Sequence, residues 1–75
     1  MTNSDLAARR ERAGAALFRA LHQCERIGFM RSICLRECAD HLREAGLPDH
    51  AARAANAADS LSDHDMLAME RELGG

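Results

Sequence analysis

Apolar residues recur at three- and four-residue intervals from the start of the chain. Leu6, Ala13, Leu17, Ala20 or Leu21, Cys24 and Ile27 form one stripe, interrupted by Arg10. That spacing predicts an amphipathic helix over about 4–27. Asn3 or Ser4 can cap it, and Asp5 falls in the first turn, where the helix dipole favours a negative charge. Gly14 lies inside the helix, within an Ala13–Ala16 patch. A mid-helix Gly costs up to about 1 kcal/mol relative to Ala, a loss that close approach of another backbone would offset. Gly28 is the expected left-handed stop.

A second stripe, Ile33, Cys34, Cys38, Leu42 and Ala45, with Leu35 and Ala39 beside it, predicts a helix over 31–45. Gly46 ends it, and Pro48 beyond suits the first turn of a third helix over 48–60. Six Ala crowd that third helix, and Leu61 is its one bulky anchor. Met66, Leu67, Met69 and Leu73 mark a fourth helix over 62–73. Ser60 with Asp63, and Ser62 with Asp65, have capping-box spacing before it. The pattern leaves open whether the last two are one bent helix or two. The short connection after the first helix predicts antiparallel neighbours. The expectation is therefore a single all-α domain over 1–75: an antiparallel helical hairpin plus one or two short C-terminal helices.

Composition sharpens this picture in two ways. Val is absent, Thr occurs once, and Ile occurs only at positions 27 and 33, which removes the usual strand formers. The core is also short of bulk, because Phe18 and Phe29 are the only aromatics in 75 residues. Chains of this size bury only about 60% of their unfolded surface and are often completed by a partner. A homodimer is the simplest such partner, giving a dimeric helical bundle joined through the first helix's stripe and its Ala/Gly patch.

Three Cys make no disulfide framework. Residues 1–12 are polar and charged, so no secretory leader is expected, and no apolar run suits a membrane span. The expected compartment is a reducing cytoplasm, that of a bacterium or of a host cell for a phage-encoded chain. An Ala- and Arg-rich chain of this length suits such a source.

The net charge of −2 argues against a polyanionic partner. All ten basic residues are Arg. Residues 1–45 carry +2 and residues 46–75 carry −4, so the two halves can attract one another.

Candidate chemistry is sparse. Cys34, Cys38 and His41 share a helix face, with His22 and Cys24 near the preceding helix end. Their spacing matches no zinc motif, and the Cys positions coincide with the apolar stripe, so they read as core. No metal and no cofactor is expected. No nucleophile elbow, phosphate-cradling Gly loop or paired metalloprotease histidines occur, so no catalytic residues are assigned and no enzyme is expected. The four His are scattered and read as surface or cap residues.

Two binding classes remain. Leu42, Gly46, Leu47, Ala52 and Ala55 resemble the packing and turn positions of a helix-turn-helix. That resemblance implies a small DNA-binding regulator reading through His50, Arg53 and Asn56, although Asp49 and Asp59 flank those residues. The favoured class is a small non-enzymatic regulator or inhibitor that docks on a larger protein and blocks it. Arg, Met and aromatic residues are enriched at such surfaces, which makes Arg9, Arg12, Phe18, Arg19, Phe29 and Met30 the interface candidates.

Overall fold

In the computed structural model, residues 3–25, 28–59 and 63–74 are described. They form four α-helices: α1 (Asn3–His22), α2 (Phe29–Glu44), α3 (Pro48–Asp59) and α4 (Asp63–Gly74). Among the described residues there is no strand, and the fold is all-α. No helix of these is long and apolar enough to cross a membrane. Each helix packs on the next, and α4 also packs on α1, so the four close into a ring of neighbours. The Cα radius of gyration is 11.3 Å, against about 11 Å for a compact chain of this length.

The centre of the ring is built mostly from small side chains. Leu17, Leu35, Leu42, Met66, Met69, Cys34 and Cys38 are its largest fully buried members. Ala13, Ala16, Ala20, Ala39, Ala51, Ala54 and Ala57 fill the rest. The buried side chains of α3 are Ala51, Ala54 and Ala57, one per turn, so its apolar contact with the core is made by methyl groups. Met66 and Met69 are the anchors of α4, one turn apart and both fully buried. Leu67 points outward instead, at 42% exposure. The expected bulky anchor Leu61 and the capping residues Ser60 and Ser62 lie outside the described residues.

The turn from α2 to α3 follows from one glycine. Gly46 has φ +80°, a left-handed conformation that a side chain would strain. Its N–H donates to the Arg43 carbonyl at 3.1 Å, and the Leu47 N–H donates to the Leu42 carbonyl at 2.9 Å. This paired arrangement is a Schellman motif, and it turns Leu47 back against the core. Pro48 then opens α3, where its missing N–H is no loss.

The first connection differs from expectation. α1 ends at His22 rather than near residue 27, and its last turn is closed by Gln23 N–H donating to Arg19 C=O at 2.9 Å. Cys24 and Glu25 lie beyond the helix, and Ile27 is outside the described residues. Gly28 is therefore not a left-handed stop for α1. It is the residue preceding α2, with φ −137° and ψ 143°, the extended conformation usual before a helix. α2 accordingly begins at Phe29, two residues before the expected start.

The stripe on α1 is also used differently. Ala13, Leu17 and Ala20 are fully buried within this one chain, whereas Leu6 and Leu21 are only partly covered. Among the described residues nothing lies within 4 Å of the space a Cβ would take at Gly14, so no close backbone approach offsets this glycine, although Ala13 and Ala16 beside it are buried.

The charge asymmetry is resolved across helix boundaries. Arg36 of α2 pairs with Asp59 of α3 at 3.0 Å, and Arg53 of α3 with Glu72 of α4 at 2.8 Å. His22 of α1 meets Glu70 of α4 at 2.9 Å, and Arg10 of α1 donates to the Glu72 carbonyl at 3.2 Å. Arg9 of α1 pairs with Glu44 of α2 at 2.7 Å. Most of these pairs are well exposed, so each contributes between about 0 and 1 kcal/mol and serves chiefly to set helix register.

A candidate docking groove at the α1–α2 junction

The early end of α1 opens a groove where the chain passes into α2. It is lined by Arg19, Gln23, Cys24, Glu25, Gly28, Phe29 and Met30, and holds about 500 Å³. Phe29 and Met30, the first two residues of α2, are 80% and 57% exposed. They stand out because the first turn of a helix seats its side chains past the end of α1, where no described element covers them. Arg19 reaches the same groove from the last turn of α1. It makes no ion pair among the described residues, so its guanidinium is available to a carboxylate outside the chain.

Three of the six interface candidates thus meet: Arg19, Phe29 and Met30. Arg9 and Arg12 lie elsewhere, in a smaller depression of about 410 Å³ shared with Asp5, Ala8 and Glu44, where Arg9 is already paired. Phe18 lines neither surface. It is half exposed and rests against the His22 ring, with centroids 4.7 Å apart. Arg31 differs from the other Arg of α2, because it is buried at 6% exposure and directs a nitrogen to the Met66 sulfur at 3.7 Å. It packs inside the bundle, between α2 and α4.

The residues of the helix-turn-helix reading are dispersed in environment. Asn56 is exposed, His50 is half-buried, and Arg53 is engaged by Glu72.

The cysteines divide. Cys38 is fully buried, and the apolar surroundings push its thiol up to about 12. Cys34 is also buried, and desolvation together with the neighbouring Cys24 raises its thiol above the ordinary value. Cys24 is only partly buried and lines the groove, with its Sγ 4.0 Å from that of Cys34. Among the described residues no three His, Cys, Asp or Glu side chains gather in a way that could hold a metal.

No family model, curated protein or solved structure matches this chain.

Gln23, Cys24 and Glu25 were not expected in the site, since the apolar spacing of Cys24 continues the stripe of α1. Gly28 was the one sequence signal that the chain turns here, and it lies at the far side of the connection.

Proposed function

We propose that this chain is a small non-enzymatic regulator that docks on a larger protein through the α1–α2 groove and blocks that protein by occupying its surface. The observation that carries the reading is the pairing of two large, solvent-facing apolar side chains, Phe29 and Met30, with an Arg19 that has no ion-pair partner among the described residues. An apolar anchor flanked by an unspent cation is the composition of a binding hot spot. The partner surface should offer an apolar side chain to fill the groove and a carboxylate for Arg19. In this reading α1 and α2 form an antiparallel hairpin that presents the groove at its closed end.

Self-association is part of the proposal. Ala13, Leu17 and Ala20 are occupied by the chain's own core, so a second copy would use Phe18, Phe29, Met30 or Leu67.

The test is a capture experiment with the intact chain and two variants, Phe29→Asp and Arg43→Glu. Both positions are exposed, so both variants should fold. A protein retained by the wild type and Arg43→Glu but lost with Phe29→Asp supports docking at the groove. Equal capture by all three would reject that surface. The DNA-binding alternative through His50, Arg53 and Asn56 is weakened by the Arg53–Glu72 pair, which occupies the one guanidinium of α3. A gel shift that weakens steeply with salt would favour it instead.

A further inference from the structure

Cys24 and Cys34 face one another across the α1–α2 junction, with sulfurs 4.0 Å apart and both thiols free. A disulfide needs sulfurs at about 2.05 Å, so the pair is roughly 2 Å from bonding distance. The two ends differ in what they can do. Cys34 is set in helix α2 and is 1% exposed. Cys24 lies after the end of α1, in non-helical backbone, and forms part of the groove wall. Closure can therefore be absorbed by Cys24 and Glu25, which lie beyond the Gln23 N–H that closes the last turn of α1. Cys38, one turn further along α2, is fully buried and is not part of the groove.

We propose that Cys24 and Cys34 form a reversible intrachain disulfide by exchange with a small-molecule disulfide of the glutathione class. The inference rests on the sulfur geometry and goes beyond the docking reading, which it does not require.

The groove admits the reagent to Cys24, whose thiolate attacks one sulfur of the small disulfide. One small thiolate leaves, and a mixed disulfide on Cys24 remains. Cys34 then gives up its proton and attacks the Cys24 sulfur, expelling the second small thiol. Two protein thiols are oxidised to one disulfide, and one small disulfide is reduced to two thiols, so electrons and protons balance. The order follows from position. Cys34 cannot meet the reagent directly, and burial beside Cys24 holds its thiol protonated until Cys24 has reacted. The second step should be the slower one, because the attacking thiolate is scarce.

The product would pin the groove wall to α2. Cys24 would turn away from Phe29 and Met30 toward the core, changing the shape of the surface those residues line.

The experiment equilibrates the native full-length chain in reduced and oxidised glutathione at several ratios, quenches it with an alkylating agent under denaturing conditions, and maps the peptides by mass. The expected result is loss of two hydrogens per chain, a crosslinked Cys24–Cys34 peptide pair, and Cys38 alkylated throughout. Cys24→Ser and Cys34→Ser should each abolish the crosslink, while Cys38→Ser should retain it. The wild-type map alone decides the case if a variant fails to fold. Persistence of all three thiols in a chain that circular dichroism shows to be helical overturns the proposal. So does a crosslink to Cys38, a disulfide between chains, or a mixed disulfide on Cys24 that never resolves. Loss of a captured partner by Phe29→Asp bears on docking alone and leaves this result unaffected.

Discussion

The Arg53 guanidinium donates to the Glu72 carboxylate at 2.8 Å, and the carbonyl of the same Glu72 accepts from Arg10 at 3.2 Å. One residue near the end of α4 thus links α3 and α1. With Met66 and Met69 as the only fully buried side chains of α4 among the described residues, this polar link is a substantial share of what orients the helix. Glu72→Ala removes the Arg53 pair and leaves the carbonyl contact in place. Because both side chains are more than a third exposed, the expected loss of global stability is below about 1 kcal/mol. The larger effect should be local: faster amide exchange and proteolysis in α4, with α2 unchanged. Uniform exchange across all four helices would show that Glu72 orients nothing.

Gly46→Ala should destabilise the chain. There is open space for the new methyl group, so the penalty is conformational and not steric contact. A residue other than Gly at φ +80° costs about 1–2 kcal/mol. A denaturant midpoint unchanged by Gly46→Ala would mean that the Schellman turn is not present in solution.

Gly14→Ala should act in the opposite direction. Gly14 sits in the interior of α1, and among the described residues nothing lies within 4 Å of the position an added Cβ would take. Ala there should stabilise the helix by up to about 1 kcal/mol and raise the thermal midpoint. Light scattering on the variant checks the alternative use of this patch. If Gly14→Ala lowers stability and reduces a dimer to monomers, a second copy packs on the surface at Gly14 and Ala15, and the assignment of self-association to Phe18, Phe29, Met30 or Leu67 is wrong.

Alkaline pH should unfold the protein through its thiols. The chain has no Lys and no Tyr, and Arg titrates far higher, so little besides Cys ionises between 9 and 12. Below the ordinary thiol value of 9.0 these groups are protonated in both folded and unfolded chains, and their contribution is fully present. As pH rises from there toward about 12, the unfolded chain ionises Cys38 while the fold holds it neutral, and stability falls. The raised thiol of Cys34 adds in the same direction. The slope should approach about 1.4 kcal/mol per pH unit for each such thiol. Denaturant melts between pH 9.0 and about 12 measure it. Cys38→Ala should lower stability near neutral pH yet flatten the alkaline limb, and a limb of unchanged steepness would remove Cys38 as its source.

How far the sequence reveals this structure depends on the kind of signal at each place. Gly46 and Pro48 mark the α2–α3 turn because each acts on its own backbone, whatever surrounds it. The buried face of α2, with Cys34, Cys38 and Leu42, follows from periodicity for the same local reason. The end of α1 was not legible. Cys24 keeps the three–four spacing, and no Gly or Pro intervenes before Gly28, so nothing local separates a helix that stops at His22 from one that continues. That difference determines the groove, since a longer α1 would carry Cys24 on a helical face rather than in a connection. Arg31 likewise looks like a surface residue until α4 brings Met66 to it from 35 positions away. The division between Arg19, Phe29 and Met30 on one surface and Arg9 with Arg12 on another also depends on packing, not on spacing.

Half of the buried apolar residues, seven of fourteen among those described, are Ala. Ala has no side-chain rotamers to lose, so these positions enter the core without the entropy penalty that Leu or Met carries. They also leave nothing to truncate except the Cβ itself. The bundle should therefore show an inverted pattern of mutational tolerance at Ala51, Ala54 and Ala57. Shortening is the usual injury to a protein interior, whereas here it is growth that does the damage: one added methyl group would wedge α3 away from α2. The sequence is held in place at these sites by an upper limit on size, and its descendants can drift toward larger interiors only by moving two helices at once.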